Sequence, residues 1–164
     1  MSMSFNADEV FEMAEQIERN GAKFYHLAAD KAPDRPGKNL FLSLASMEEH
    51  HLRIFQEMRK DLSDQEKGGT TFDPDNEAAL YLQALAESRG FEGMRNPTDH
   101  LTGKESMREL IEIAIEAEKN SVLFYVGLRD MVAARAGKDK VEAVIREEVG
   151  HVADLRQRLK TLNA

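Results

Sequence analysis

Two Glu-x-x-His segments, Glu48 to His51 and Glu148 to His151, stand a hundred residues apart in this 164-residue chain. On a helix, residues i and i+3 project from one side toward a common point, so each pair can clamp a cation. Thirty residues before each pair lies another glutamate, Glu18 and Glu118. Carboxylate oxygens mixed with imidazole nitrogens suit iron or manganese, and zinc less selectively. A single Glu-x-x-His pair is weak evidence, but two of them, each thirty residues after a further glutamate, form a specific pattern.

These acids must be positioned by the elements that carry them. Helical periodicity dominates the chain and no alternating strand pattern competes with it. The expected helices run from a cap at Ser4 or Asn6 to about Ala32, from about Asn39 to Ser63, from about Lys104 to Ala134, and from Lys138 to Leu162. A shorter helix from Asp75 to about Ser88, started by Asp73-Pro74, fits between them. The four prolines (Pro33, Pro36, Pro74 and Pro97) fall in segments that read as connections, as do Gly68-Gly69-Thr70-Thr71, Gly90 to Gly103 and Gly137.

The chain repeats itself at an offset of 100. Residues 11–60 and 111–160 share thirteen identities in fifty positions, about four times the chance rate. Glu18-Arg19-Asn20 matches Glu118-Lys119-Asn120, Phe24-Tyr25 matches Phe124-Tyr125, and Glu48 and His51 match Glu148 and His151. Two helical hairpins joined by a long crossover over residues 64–104 follow from this, forming one all-α, four-helix-bundle domain over residues 1–164.

Each helix then has an inward stripe with a glutamate near its middle. The stripes are Phe11, Ala14, Glu18, Gly21, Tyr25, Ala28; Phe41, Leu44, Glu48, His51, Phe55, Met58, Leu62; Ile111, Ala114, Glu118, Ser121, Tyr125, Leu128, Val132; and Val141, Val144, Glu148, His151, Leu155, Leu162. Burying an ionised carboxylate without a partner costs several kcal/mol. No lysine or arginine lies on the stripes, so two divalent cations are expected to balance four acids. Glu15, Glu116 and Glu147 read as solvated flanks, His50 and Glu49 as surface residues, and His26 and His100 as incidental. Asp154 suits either support of His151 or a pair with Arg158. Leu80, Tyr81, Leu82 and Leu85 are expected to cover the bundle or a dimer face.

The pattern Glu18-x6-Tyr25, Glu48-x-x-His51, Glu118-x6-Tyr125, Glu148-x-x-His151 resembles the rubrerythrin and bacterioferritin branch of the ferritin-like superfamily, over residues 5–63 and 104–162. The resemblance implies two iron ions, with manganese or zinc as possible substitutes. It implies Glu18 and Glu118 as terminal ligands, Glu48 and Glu148 as bridges, and one histidine per iron. Tyr25 and Tyr125 would hydrogen-bond to ligand carboxylates, although both also suit ordinary core tyrosines. Gly21 and Ser121 would leave room for a small oxidant or serve as small packing residues.

Two departures stand out. Rubrerythrins carry an additional glutamate one turn from the third-helix ligand, whereas the neighbours of Glu118 are Ala114, Ile115, Ser121 and Val122. That ligand set looks like bacterioferritin. Many rubrerythrins also carry a rubredoxin domain with four cysteines, and this chain has none. The expected function is a di-iron oxidoreductase of peroxidase or ferroxidase type that reduces peroxide or dioxygen. Its electrons would come from an external donor such as a rubredoxin-like protein, and a homodimer is expected. Iron binding and storage is the alternative.

Bulk composition agrees. The chain is 41% hydrophobic and 32% charged with net charge −8, so no basic stripe for nucleic acid is expected. Absence of cysteine excludes disulfides, zinc ribbons and thiol catalysis. No apolar run approaches ~18 residues, so no membrane span is expected. Met1 to Asn6 lack a basic region followed by an apolar stretch, which leaves a cytoplasmic location as the expectation.

Overall fold

Four long helices carry the chain in the computed structural model, which describes residues 7–62, 75, 77, 80–82, 84, 97–132 and 136–162. We label them α1 (Ala7–Lys31), α2 (Arg35–Lys60), α3 (Met107–Met131) and α4 (Lys138–Leu162). A 3-10 turn, Pro97–His100, precedes α3. The described residues contain no strand. The helices pair as α1 with α2 and α3 with α4, and packing is more extensive within each hairpin than between them.

Local chemistry sets the ends. Helix α2 starts at Arg35, four residues earlier than the periodicity indicates. The Asp34 carboxylate accepts the Gly37 amide at 2.7 Å. Pro36 therefore sits in the first helical turn, where a missing amide hydrogen costs nothing, rather than in a connection. Asp34 also receives Arg158 of α4 at 2.5 Å, which ties this corner to the other hairpin. Helix α3 starts at Met107, later than expected, because Ser106 and Glu109 form a reciprocal capping box. It ends at Met131 rather than Ala134, where Val132 turns to extended backbone (φ −84°, ψ 125°). Gly137, with φ of +99°, makes the turn into α4 in a conformation that side chains rarely adopt.

The inward stripes pack as the periodicity demands, with one exception. On α4 the last apolar contact is Leu159, 3% exposed, whereas Leu162 on the final helical residue is 37% exposed. Two apolar clusters result. One holds Phe11, Phe55, Tyr125 and Val144; the other holds Tyr25, Phe41, Ile111 and Leu155. Along every helix the stripe glutamate falls between them, so a layer of acids is enclosed above and below by hydrocarbon.

Of the crossover, Leu82 is fully buried in the first cluster and Tyr81 donates its hydroxyl to the Leu123 carbonyl at 2.7 Å. These two side chains cover the bundle, while Leu80 faces outward. Leu85, Ser88, the Asp73-Pro74 start, the Gly68–Thr71 break and the Ser4 or Asn6 cap lie outside the described residues. No helix among the described residues is long and apolar enough to cross a membrane.

Candidate metal centre

Each helix brings its polar side chains to the same level because each stripe repeats every three or four residues. Glu18 and Glu148 are fully buried, Glu48 and Glu118 are 3% exposed, and His51 and His151 are buried with them. The oxygens and nitrogens converge in two overlapping sets. Glu18, Glu48, His51 and Glu148 offer ligand atoms all within 4.8 Å of one another, and Glu48, Glu118, Glu148 and His151 do the same. Glu48 and Glu148 belong to both sets. The two imidazoles stack with centroids 5.7 Å apart.

The tyrosines cross between the hairpins. Tyr25 on α1 donates to Glu118 on α3, and Tyr125 on α3 donates to Glu18 on α1. Both rings are clamped by aromatics, Tyr25 by Phe24 and Phe41, Tyr125 by Phe124 and Phe55. Burial and then the charges of Glu118 and Glu18 respectively push each phenol well above its usual range, so both remain donors.

The electrostatics are strained. Burial, then the charges of Glu148, Glu18 and Glu118, push the Glu48 carboxyl well above the usual carboxylate range. Burial, then the charge and hydrogen bond of Glu118, do the same to Glu148. Burial also works against ionised Glu118, but hydrogen bonds with Glu148, His151 and Tyr25 outweigh it and hold that carboxyl low. For His51, burial favours the neutral ring, yet Glu18, Glu48 and Glu147 together raise it to about 9. No lysine or arginine reaches these acids among the described residues. Five of the six residues also leave one buried atom without a hydrogen-bond partner: Glu18 Oε2, Glu48 Oε1, His51 Nδ1, Glu118 Oε2 and Glu148 Oε1. His51 Nδ1 lies 3.1 Å from Glu148 Oε1, close enough to attract but not aligned as a hydrogen bond.

A cavity of ≈ 20 Å³ leads to this layer between α1 and α3, lined by Asn20, Gly21, Glu48, Pro97, Glu118 and Ser121. It has room for about one water-sized molecule. A Cβ at Gly21 would lie 2.6 Å from Glu48 Oε2, so the tip of that side chain would have to shift to admit one.

Three flanking residues differ from expectation. Glu147 is not merely a solvated flank: its carboxylate lies 2.7 Å from His51 Nε2, although it remains 41% exposed. The signal for it was chemical, because a histidine that turns one nitrogen inward needs an acceptor for the other. Glu15 is buried (5% exposed) and held by Arg19 at 2.7 Å and Arg59 at 3.4 Å. Asp154 is exposed and neither supports His151 nor pairs with Arg158, which Asp34 occupies. Glu49 and His50 lie on the surface, with Glu49 3.0 Å from the equally exposed His26. Glu116 is solvated and paired with Lys119.

Comparison with known proteins agrees with this geometry. The family model for rubrerythrin matches residues 9–159. Among solved structures, a ferritin-like diiron-carboxylate protein from Thermotoga maritima superposes with a TM-score of 0.71 at 22% identity, covering 98% of each chain. No curated protein matches the chain. The rubrerythrin match takes in all four helices and every residue of the buried glutamate and histidine layer, and the chain belongs to the rubrerythrin family.

Proposed function

We propose that this chain is a di-iron oxidoreductase that reduces peroxide or dioxygen with electrons from an external donor. The observation that carries the reading is the set of five buried, unpartnered ligand atoms on Glu18, Glu48, His51, Glu118 and Glu148. Such atoms lose the hydrogen bonds they make to water and gain none inside, so cations among them would stabilise the set. Carboxylates and imidazoles fit iron or manganese. Glu48 and Glu148, shared by both sets, would bridge. Glu18 with His51 and Glu118 with His151 would complete one position each.

Bound there, a pair of redox-active ions would supply the two electrons that, with two protons, convert peroxide to two waters, and the external donor would return them. The residues do the rest. Tyr25 and Tyr125 fix the orientation of Glu118 and Glu18. The narrow cavity beside Gly21 and Ser121 admits a small oxidant and excludes an organic substrate. The apolar clusters keep bulk water away. A rubredoxin-like protein is a suitable donor, since the chain has no cysteine for an electron-transfer site of its own.

Ferroxidase-linked iron storage is the second reading, favoured by Ala114, Ile115, Ser121 and Val122 around Glu118, which offer no additional carboxylate. Rapid mixing distinguishes the two. Apoprotein loaded anaerobically with ferrous iron should oxidise faster with peroxide than with dioxygen, and scattering should show a homodimer. Fast dioxygen consumption with accumulating mineral, or a 24-subunit cage, would favour storage. Reaction with neither oxidant refutes both. Glu48→Ala and Glu148→Ala should each bind fewer than two ions per chain.

A further inference from the structure

Each hairpin contributes one histidine to the site, but only one of the two is backed by a carboxylate. His51 Nε2 lies 2.7 Å from Glu147 Oε2, while its Nδ1 faces Glu148 Oε1 at 3.1 Å and Glu18 Oε2 at 3.5 Å. Holding a metal through Nδ1, the ring would keep its proton on Nε2, directed at Glu147. His151 presents the same atom to Glu148, Glu118 and Glu48, at 2.9, 3.4 and 3.5 Å. Its Nε2 has no side-chain acceptor among the described residues. The residue that matches Glu147 at the hundred-residue offset is Met47, half-buried on α2. A thioether is uncharged and at best a weak acceptor.

A carboxylate on the far nitrogen fixes the tautomer and the ring plane and makes the near nitrogen a better donor. Loss of such a partner typically lowers metal affinity about 10–100-fold.

Resting on the di-metal reading above, we infer that the two metal positions are unequal: the Glu18–His51 position fills first because Glu147 backs its histidine, and the Glu118–His151 position fills second. Glu147 is a positioning residue that acts through His51. The duplication made two similar halves, and the exchange of glutamate for methionine at this one matched position set their order.

Cobalt(II) is a suitable probe, because its visible absorption reports the ligand field of each position and it does not turn over with oxidant. Anaerobic titration of the wild-type apoprotein should show two steps separated by about tenfold or more in affinity. Glu147→Met should weaken the first step toward the second and shift only the first-step spectrum. Glu147→Gln, which keeps an acceptor, should restore part of the separation. Met47→Glu should strengthen the second step and leave the first in place. Two ions bound with equal affinity by the wild type would overturn the inference and leave the di-metal reading intact. So would Glu147→Met weakening both steps alike, with unchanged far-ultraviolet dichroism. Fewer than two cobalt ions in the wild type would overturn the di-metal reading and this inference with it.

Discussion

Replacing Glu48 by glutamine should make the metal-free protein more stable while destroying its capacity to hold two ions. The carboxyl is 3% exposed and pushed well above its ordinary range, first by burial and then by Glu148, Glu18 and Glu118. At pH 7 the unfolded chain ionises this group, whose ordinary value is 4.5, and folding must return the proton. Each unit between 4.5 and 7 costs ~1.4 kcal/mol, so the ceiling is ~3 kcal/mol. Glutamine occupies the same volume, needs no proton and can donate to a neighbouring acid. For a chain of this size the gain corresponds to a rise in melting temperature of about 6–12 °C at most. The sign with pH follows. A carboxyl raised on folding favours the folded state fully below pH 4.5, and that contribution declines as pH rises above it. Wild type and Glu48→Gln should therefore melt closest together near pH 4.5 and diverge toward pH 7. His51, raised to about 9, contributes fully below 6.5 and loses that contribution as pH climbs through 9, so the comparison belongs below pH 6.5 to 7. Glu118, held low, changes the balance only below pH 4.5. Circular-dichroism melts of chelator-treated and metal-loaded samples supply the assay, and loading should reverse the order of stability. A metal-free Glu48→Gln protein that melts at or below the wild type at pH 7 would refute the reasoning, as would a gain that persists undiminished at pH 4.5.

Other perturbations test neighbouring parts of the argument. Tyr125→Phe removes the only hydroxyl that Glu18 receives from α3, and urea unfolding should show a loss of about 1–3 kcal/mol. Gly21→Ala places a carbon 2.6 Å from Glu48 Oε2; it should displace that carboxylate and weaken cobalt binding in a titration, while helix propensity (about 0.5–1 kcal/mol) keeps the urea midpoint close to wild type. Arg59→Ala strips a guanidinium from Asp8 and the buried Glu15. Its cost, ~1–2 kcal/mol by urea unfolding, should exceed that of Lys119→Ala, whose exposed pair with Glu116 is worth less than ~1 kcal/mol.

Much of the bundle was legible because duplication supplied an internal control. A glutamate at the middle of one stripe is ambiguous, but Glu18 and Glu118, or Glu48 and Glu148, recur in register with the aromatic pairs Phe24-Tyr25 and Phe124-Tyr125. The tyrosine bonds were expected in kind, to carboxylates of the set. That each reaches the opposite hairpin depends on how α1 and α3 face one another, which periodicity does not encode. Helix ends were less legible. Asp34 and Ser106 act through side-chain bonds to amides three residues on, and such bonds outweigh apolar periodicity at the first turn. Leu159 and Leu162 stand four and seven residues beyond Leu155, so either can continue the α4 stripe, and only the neighbouring helices decide which one is covered. Glu15 and Glu147 depart from the periodicity for a shared reason: each lies beside a stripe, where a partner from another helix engages it, Arg59 for one and His51 for the other.

The crossed tyrosines have a mechanical consequence. The backbones approach more closely within α1–α2 and within α3–α4 than between the hairpins, so that boundary is where the bundle can part most easily. Tyr25 to Glu118, Tyr125 to Glu18 and His51 to Glu147 are stitches across that boundary. Emptying the site of its positive charge loads strain onto this suture, since the repelling acids belong to opposite halves. Amide exchange along the inner faces of α1 and α3 should therefore quicken before exchange inside either hairpin does, which makes the joint a gauge of occupancy.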